Sequence, residues 1–439
     1  MSRNADVSEP TTVWVNARFL ERPVTGVERV ARELLGVIAT QHLDDDGYWF
    51  DGNRRFRFRL IAPAATSMLS PWQNLRLERA GVLNGHAWEQ LDLPLRTRGD
   101  WLVSLCNTGP LLKRRHILFL HDAQPFVIPD NFSLAFRLWY RLLFNVAGRS
   151  SRHILVNSFF TRRELYRHVG LRTEKMTLCY PGSEHACSDE VGASEPLRFD
   201  LPEQPFLLAV ASANPNKNFD AVVRALHVLG ATAPPCVIVG RTDQRQFGNV
   251  IFDSERVTHL GYVSDEDLLA LYRQALCLVF PSFYEGFGLP PLEAMAAGCP
   301  VITSRSSAMP EICGTAAEYC DPRDYRSLAG AIRRVSESAA RRTAMIESGL
   351  LRARMFSWRM SGQRVLELIA NTATTNRRVA ATERAGKSER RLHVTDAPSL
   401  PGSHTWSGRE RLDLPPVPPE PASVGRARVA LSALRRRGV

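Results

Sequence analysis

Two glutamates, Glu285 and Glu293, stand eight residues apart in the segment FPSFYEGFGLPPLEAMAAGCPVITS, 280–304. The segment reads strand, glycine-rich loop, helix, glycine stop, strand. Gly286 and Gly288 let backbone come close to a ligand, because a residue without Cβ tolerates approaches that others do not. Pro290 and Pro291 suit the first turn of a helix. That helix start would turn free N–H groups and a positive dipole end toward whatever the loop holds. A phosphate and a carboxylate do not comfortably share one spot. The economical arrangement puts a phosphate at the helix start and leaves the glutamates to accept hydrogen bonds from hydroxyls on either side. Hexose hydroxyls, a diphosphate and ribose hydroxyls follow one another in this way in a nucleotide sugar. A single glutamate near a helix start needs no more than a dipole to explain it; the whole segment in register carries the chemistry.

Other residues of chemical type are less informative alone. His121 closes the apolar run HILFL at 116–120 and is followed by Asp122; a lone histidine at a strand end is ordinarily structural. Asp44–Asp46 form a DDD run before Gly47 with no strand leading into it, which reads as a surface turn and not as a metal site. Eight cysteines, at 106, 179, 187, 236, 277, 299, 313 and 320, include no CxxC pair, and most sit inside apolar runs. They read as reduced packing residues of a cytoplasmic protein.

The elements that must position these residues alternate almost from end to end. Short β-branched runs are expected as strands at Val13–Val15, Phe56–Ile61, Trp101–Leu105, His116–Leu120, Ile154–Val156 and Met176–Cys179. A helix beginning near Val27 buries Val27, Val30, Ala31, Leu34, Leu35 and Ile38 at i, i+3, i+4 spacing. A second runs from about Ser133 to Val146. The polar stretch EVGASEPLRFDLPEQP, 190–205, reads as a linker. A second series then follows, with strands at Phe206–Ala211, Cys236–Val239, Val257–Leu260, Cys277–Phe280 and Val301–Thr303. Its helices are expected at Asp220–Leu229, Glu266–Gln274 and Pro291–Ala297, the middle one capped by Ser264 with Asp267, and a last helix follows Ser357. This is the pattern of α/β chains with parallel sheets. Two doubly wound Rossmann-like domains are therefore expected, 1–195 and 196–357, with a closing helix at 358–372 and a basic, proline-rich disordered tail at 373–439. Ligands of such sheets bind beyond the carboxyl ends of the strands, so two facing halves place one ligand in a cleft.

The chain has 439 residues, 44% hydrophobic and 23% charged, with net charge +11. From Arg377 onward there are thirteen Lys+Arg against six Asp+Glu. The basic character thus belongs largely to the tail, which argues against nucleic acid as the partner of the folded body. A solvated extension is the simpler reading of the tail; peripheral contact with an anionic inner membrane face is the alternative. No apolar run approaches the length of a membrane span, and MSRNADVSEPTT lacks a signal core. A cytoplasmic enzyme is the expectation.

The 280–304 segment resembles the E-x7-E signature of the retaining family-4 glycosyltransferases, which have the two-domain GT-B fold. Further matches follow in chain order. TGVERVAREL at 25–34 resembles the first loop and helix of the N-terminal domain, and FLHD at 119–122 the strand-end histidine on the acceptor side. AVASANPNKNFDAVVRAL at 209–226 resembles the phosphate-binding strand, loop and helix with its lysine. HLGYVSDEDLLALYRQA at 259–275 resembles the base-binding loop and helix; SSAMPEICGTAAEYCDPRD at 306–324 and FSW at 356–358 also fit. Together they cover about Val13 to Ile369.

The resemblance implies that Glu285 contacts the donor hexose and Glu293 the donor ribose. It implies that Gly286, Phe287, Gly288 and Leu289 meet sugar and phosphate through backbone, and that Lys217 neutralises the diphosphate as the glycosidic bond breaks. It sets His121 against the transferred sugar, and Gly26, Val263 and Ser282 around the donor. Two features depart from the pattern. Ser212 and Asn216 stand where many relatives have arginine, so Arg241 is a candidate for the second positive group. The first loop has Gly26 without a second glycine, so the Thr25 hydroxyl is expected to support the phosphates instead. The implied activity is retaining transfer of a hexose, with mannose favoured, from a GDP- or UDP-linked donor to a saccharide or lipid-linked acceptor in surface polysaccharide synthesis. No metal and no further cofactor are expected. The competing readings are a GT-B-like sugar-nucleotide epimerase, a phosphorylase, and a non-catalytic sugar-nucleotide-binding subunit.

Overall fold

A computed structural model describes residues 9–186, 199–210, 214–240 and 256–389, the stretch 374–389 as backbone. The expected linker falls partly, and the boundary at 195/196 wholly, outside these residues. So do Ser212, Arg241, Cys187 and everything after 389.

The first sheet has eight strands: Thr11–Asn16 (β1), Tyr48–Asp51 (β2), Arg54–Ala62 (β3), Leu77–Arg79 (β4), Trp101–Ser104 (β5), His116–Leu120 (β6), His153–Val156 (β7) and Met176–Leu178 (β8). Their order is β2-β3-β1-β5-β6-β7-β8, with β4 also pairing β3; only β2 is antiparallel. The second sheet has six parallel strands: Leu207–Val210 (β9), Cys236–Val239 (β10), Val257–Gly261 (β11), Cys277–Phe280 (β12), Val301–Ser304 (β13) and Ala317–Cys320 (β14), in the order β11-β10-β9-β12-β13-β14.

Helices cover the sheets. With the first lie Gly26–His42 (α1), Gly85–Gln90 (α2), Asp92–Arg96 (α3), Gln124–Val127 (α4), Leu134–Ser150 (α5) and Phe159–Val169 (α6). With the second lie Phe219–Leu229 (α7), Asp265–Gln274 (α8), Leu289–Ala296 (α9), Met309–Cys313 (α10), Tyr325–Glu337 (α11) and Ala339–Ala353 (α12). Helix α1 buries Val30, Ala31, Leu34, Leu35 and Ile38, as its spacing required; each of its buried valine, leucine and isoleucine side chains contributes about 1.5–3 kcal/mol by leaving water. Ser264 Oγ accepts the Asp267 N–H at 3.1 Å and starts α8, a cap worth about 1 kcal/mol.

Trp358–Glu389 (α13) crosses back to the first half. At Gly362 a Cβ would lie 3.3 Å from Ile38 of α1, and Ser361 Oγ donates to the Tyr180 carbonyl. Both sheets therefore belong to one compact unit. Helix α13 runs past the expected end at 372. Its extension, NTATTNRRVAATERAGKSE, is rich in Ala, Arg, Lys and Glu and has no proline, a composition that favours helix.

Seven cysteines, all but Cys187, are buried and unpaired. Asp44 Oδ1 accepts the N–H groups of Asp46 (3.1 Å) and Tyr48 (2.7 Å), so the DDD run is a turn leading into β2. Among the described residues no group of three or more His, Cys, Asp or Glu could hold a metal, and no helix is long and apolar enough to cross a membrane.

Candidate active site

Chain order reverses between β9 and β12 in the second sheet, and between β1 and β5 in the first. The strands flanking such a reversal send their following loops to opposite faces and leave a crevice at their carboxyl ends. The loop after β9 carries Lys217 and the loop after β12 carries Glu285. Lys217 Nζ donates to Glu285 Oε1 at 2.8 Å and lies 4.5 Å from the centre of the Phe280 ring. Neither side chain is fully buried, at 22% and 12% exposed, so the pair stands at a surface that a ligand can reach.

The NPNKN turn gives each asparagine a separate task. Asn214 Oδ1 accepts the Asn216 N–H at 3.0 Å and starts the turn. Asn216 donates its side-chain amide to the Tyr284 carbonyl, and its own carbonyl accepts the Phe283 N–H at 2.9 Å. Asn218 adopts φ +56° and ties the Pro281 and Pro322 carbonyls at 3.0 and 2.7 Å. Asn216 is therefore a staple between two loops, and it is buried. Ser282 is likewise fully buried, and its carbonyl accepts the Ser304 hydroxyl at 2.6 Å. Val263 packs its side chain into the core.

Gly288, at φ +112°, precedes α9, and a Cβ there would come 2.3 Å from Met309 Cε. Pro290 and Pro291 lack N–H groups, so the amides at the start of α9 are those of Phe287, Gly288 and Leu289. Glu285 is held from behind: its N–H donates to Ser307 Oγ at 3.0 Å, and its carbonyl accepts the Ala308 N–H at 3.3 Å.

Glu293, one helical face further in, is 7% exposed. Its Oε1 accepts from His185 Nε2 at 3.0 Å and its Oε2 from the Tyr272 hydroxyl at 3.2 Å. Trp358 Nε1 donates to His185 Nδ1 at 3.1 Å. An indole can only donate, so His185 carries its proton on Nε2 and points it at Glu293. Burial, with Glu293 beside it, pushes the Tyr272 phenol well up and keeps it protonated. Arg29 of α1 reaches across from the first half, pairing with Asp265 at 2.9 Å and standing 3.9 Å from Glu293. His185 and Arg29 both escaped sequence reasoning. The partners of His185 lie far along the chain, and Arg29 is an ordinary polar-face residue until α8 is placed beside it.

The facing wall belongs to the first half. At Gly286 a Cβ would come 2.1 Å from the His121 carbonyl oxygen, and Ser158 Oγ donates to the Gly286 carbonyl at 2.6 Å. A Cβ at Gly26 would meet Leu289 at 3.7 Å. The structure thus brings Gly26, His121, Gly286 and Leu289 together across the cleft. The His121 ring stacks on Phe119 at 4.2 Å, and its Nε2 donates to the Leu105 carbonyl at 2.7 Å. Burial pushes this imidazole down to about 4, so it is neutral at pH 7 with the lone pair on Nδ1. Asp122 beside it is raised to about 6 by burial, against the Gln124 N–H bond and with the Glu285 charge adding to the rise. The Thr25 hydroxyl, just before α1, donates to the Glu28 carboxylate.

Residues 196–352 match the family model described as glycosyl transferases group 1. The O-antigen chain mannosyltransferase RfbU of Salmonella typhimurium is 30% identical over 235 residues, 53% of this chain and 63% of that protein. The chain thus spans less than two thirds of that relative's length. The sucrose-phosphate synthase of Thermosynechococcus elongatus superposes with TM-score 0.62 at 17% identity, covering 83% of this chain and 100% of that one. Anabaena HepE, solved in complex with UDP-glucose, superposes with TM-score 0.58 at 15% identity, covering 82% and 99%. The fold is that of the GT-B glycosyltransferases.

Proposed function

We propose that the chain is a retaining glycosyltransferase that moves a hexose, mannose favoured, from a GDP- or UDP-linked donor to a saccharide or lipid-linked acceptor in surface polysaccharide synthesis. One observation carries the reading: Lys217 and Glu285 meet at 2.8 Å at the strand-order reversal, beside the start of α9. An anion arriving there exchanges a carboxylate for a diphosphate on the Lys217 ammonium. Glu285 is then freed to accept hydroxyls of the hexose, and the amides of Phe287, Gly288 and Leu289 face phosphate and sugar.

Glu293 retains acceptor capacity, since a carboxylate offers about four lone-pair sites and two are taken by His185 and Tyr272. In this reading they take the ribose hydroxyls, with Arg29 as the second positive group of the cleft. Negative charge grows on the leaving oxygen as the glycosidic bond breaks. A preorganised donor aimed at such charge is worth about 3–4 kcal/mol, or 10²–10³ in rate. Neutral His121 accepts a hydroxyl of the transferred sugar, and the leaving phosphate oxygen takes the acceptor's proton on the same face. With ammonium, helix start and guanidinium supplying the positive charge, transfer persists in EDTA.

The test is a panel of GDP- and UDP-sugars with saccharide acceptors, with anomeric configuration read by NMR. A glycoside that keeps the donor's configuration supports the reading. A free epimer, a sugar phosphate, an inverted product or no turnover with any donor overturns it.

A further inference from the structure

Among the described residues, three other than glycine hold a positive φ: Asn107 at +61°, Asn218 at +56° and Ser307 at +55°. The left-handed region is open to glycine and tolerated by asparagine; for serine it is a strained conformation. Such strain persists only where the surroundings fix it, and it gathers at functional sites. All three side chains bond to the backbone of loops that form the cleft. Asn218 donates its side-chain amide to the Pro281 carbonyl, just after β12, at 3.0 Å. Asn107 Oδ1 accepts the His121 N–H at 2.7 Å. Ser307 Oγ accepts the Glu285 N–H at 3.0 Å and donates its own proton to the Ser306 carbonyl at 2.8 Å.

Asn107 and Ser307 share one plan. In each sheet the loop after one strand braces the loop after its paired neighbour. Asn107, after β5, holds His121, after β6; Ser307, after β13, holds Glu285, after β12. The two braced residues flank the contact at which the His121 carbonyl meets Gly286. We propose that Asn107 and Ser307 are positioning residues, fixing His121 and Glu285 against the transferred hexose through a side-chain acceptor that glycine lacks. Glycine would relieve the strain at both positions, yet it would leave each of the two amides without its partner. The Glu285 carbonyl would keep its bond to the Ala308 N–H, so loss of the Ser307 hydroxyl loosens one tie of two and leaves the loop folded. The catalytic consequence rests on the proposed reaction; the strain and the bonds do not.

Ser307→Gly, Ser307→Ala and Asn107→Gly separate strain from positioning. Asn107→Asp is the conservative control, since it keeps Oδ1 and tolerates the left-handed region. Thermal unfolding, calorimetric titration with GDP and UDP, and steady-state transfer are measured on the full chain. Stability should follow the backbone, with Ser307→Gly melting above Ser307→Ala. Activity should follow the hydroxyl: both variants lose about tenfold to a hundredfold in kcat, as a misplaced contact to the reacting sugar requires. Affinity for the diphosphate should stay that of the parent, because Lys217 and the start of α9 hold it. Asn107→Gly should lose kcat likewise, and Asn107→Asp should keep most of it. A kcat that tracks melting temperature across the two Ser307 variants overturns the proposal, as does an equal loss in both Asn107 variants. So does a parallel loss of diphosphate affinity, the mark of a general structural role. A parent that transfers no sugar from any donor fails the proposed reaction and this role with it, whereas an active parent matched by its glycine variants overturns the positioning alone.

Discussion

The two walls of the cleft are built differently. Most of the C-terminal wall is one contiguous strand, loop and helix, 277–296, in which Glu285, the α9 amides and Glu293 follow one another within a dozen residues, with Lys217 joining from the loop after β9. The N-terminal wall is assembled from the ends of separate strands: Gly26 and Arg29 after β1, Leu105 after β5, His121 after β6. A wall made by one local unit keeps its geometry through backbone conformation, notably the positive φ of Gly288. A wall gathered from several strands keeps its geometry only while the sheet and the opposite loop hold it. The two meet where the His121 carbonyl presses on Gly286.

A matched pair of glycine substitutions breaks or sharpens that contrast. Gly286→Ala puts a Cβ 2.1 Å from the His121 carbonyl oxygen, backbone against backbone. We expect a loss of about 3 kcal/mol or more in unfolding free energy and abolished transfer. Gly26→Ala has 3.7 Å of room to a flexible leucine tip, and should change stability by no more than about 0.5 kcal/mol. Denaturant titration of both variants checks this; equal effects would mean that the walls do not touch as described.

Acid should act next most strongly, and on the first half. His116 and His121 are held neutral, pushed down to about 3 and about 4 mainly by burial. Unfolded histidine titrates near 6.5, so between pH 6.5 and 4 the unfolded chain binds more protons. The stabilisation is complete above pH 6.5 and is lost as pH falls. At pH 5 each histidine costs roughly 2 kcal/mol. Asp122, raised to about 6, acts oppositely and returns about 1 kcal/mol. Thermal unfolding at pH 7 and pH 5 should show a clear net drop, and a flat or rising melting temperature contradicts it.

The smallest effect concerns Glu293. His185→Ala removes one donor from its carboxylate and frees the Trp358 indole N–H. A hydrogen bond to a charged group contributes about 1.5 kcal/mol, so nucleotide affinity should fall about tenfold with the rate at saturation little changed. Calorimetric titration with the preferred nucleotide separates this from a fall in turnover, which would place His185 at the reacting atoms.

What was legible in the residues follows the same division. The strands β9, β10, β12 and β13, the α9 start and the two glutamates read directly, because periodicity, paired prolines and flanking glycines all lie within a short window. The short strands β2, β4 and β14 escaped: YWFD, LER and AEYC are too brief or too polar to show alternation. Helices α10 to α12 were likewise passed over between the last expected strand and the closing helix. Arg29 and His185 act only through partners more than a hundred residues away, a separation that no local pattern reports.

The central claim is that an ammonium and a helix start together hold a diphosphate. The direct test is thermal unfolding of the parent and of Lys217→Met with GDP, UDP, guanosine and uridine, in EDTA. The account predicts that one diphosphate stabilises the parent by several degrees, as about 2.7 kcal/mol at a hundredfold excess over Kd requires. It also predicts that the matching nucleoside does far less, and that Lys217→Met loses most of the shift. Equal stabilisation of parent and variant by a diphosphate, or none by either nucleotide, would contradict it.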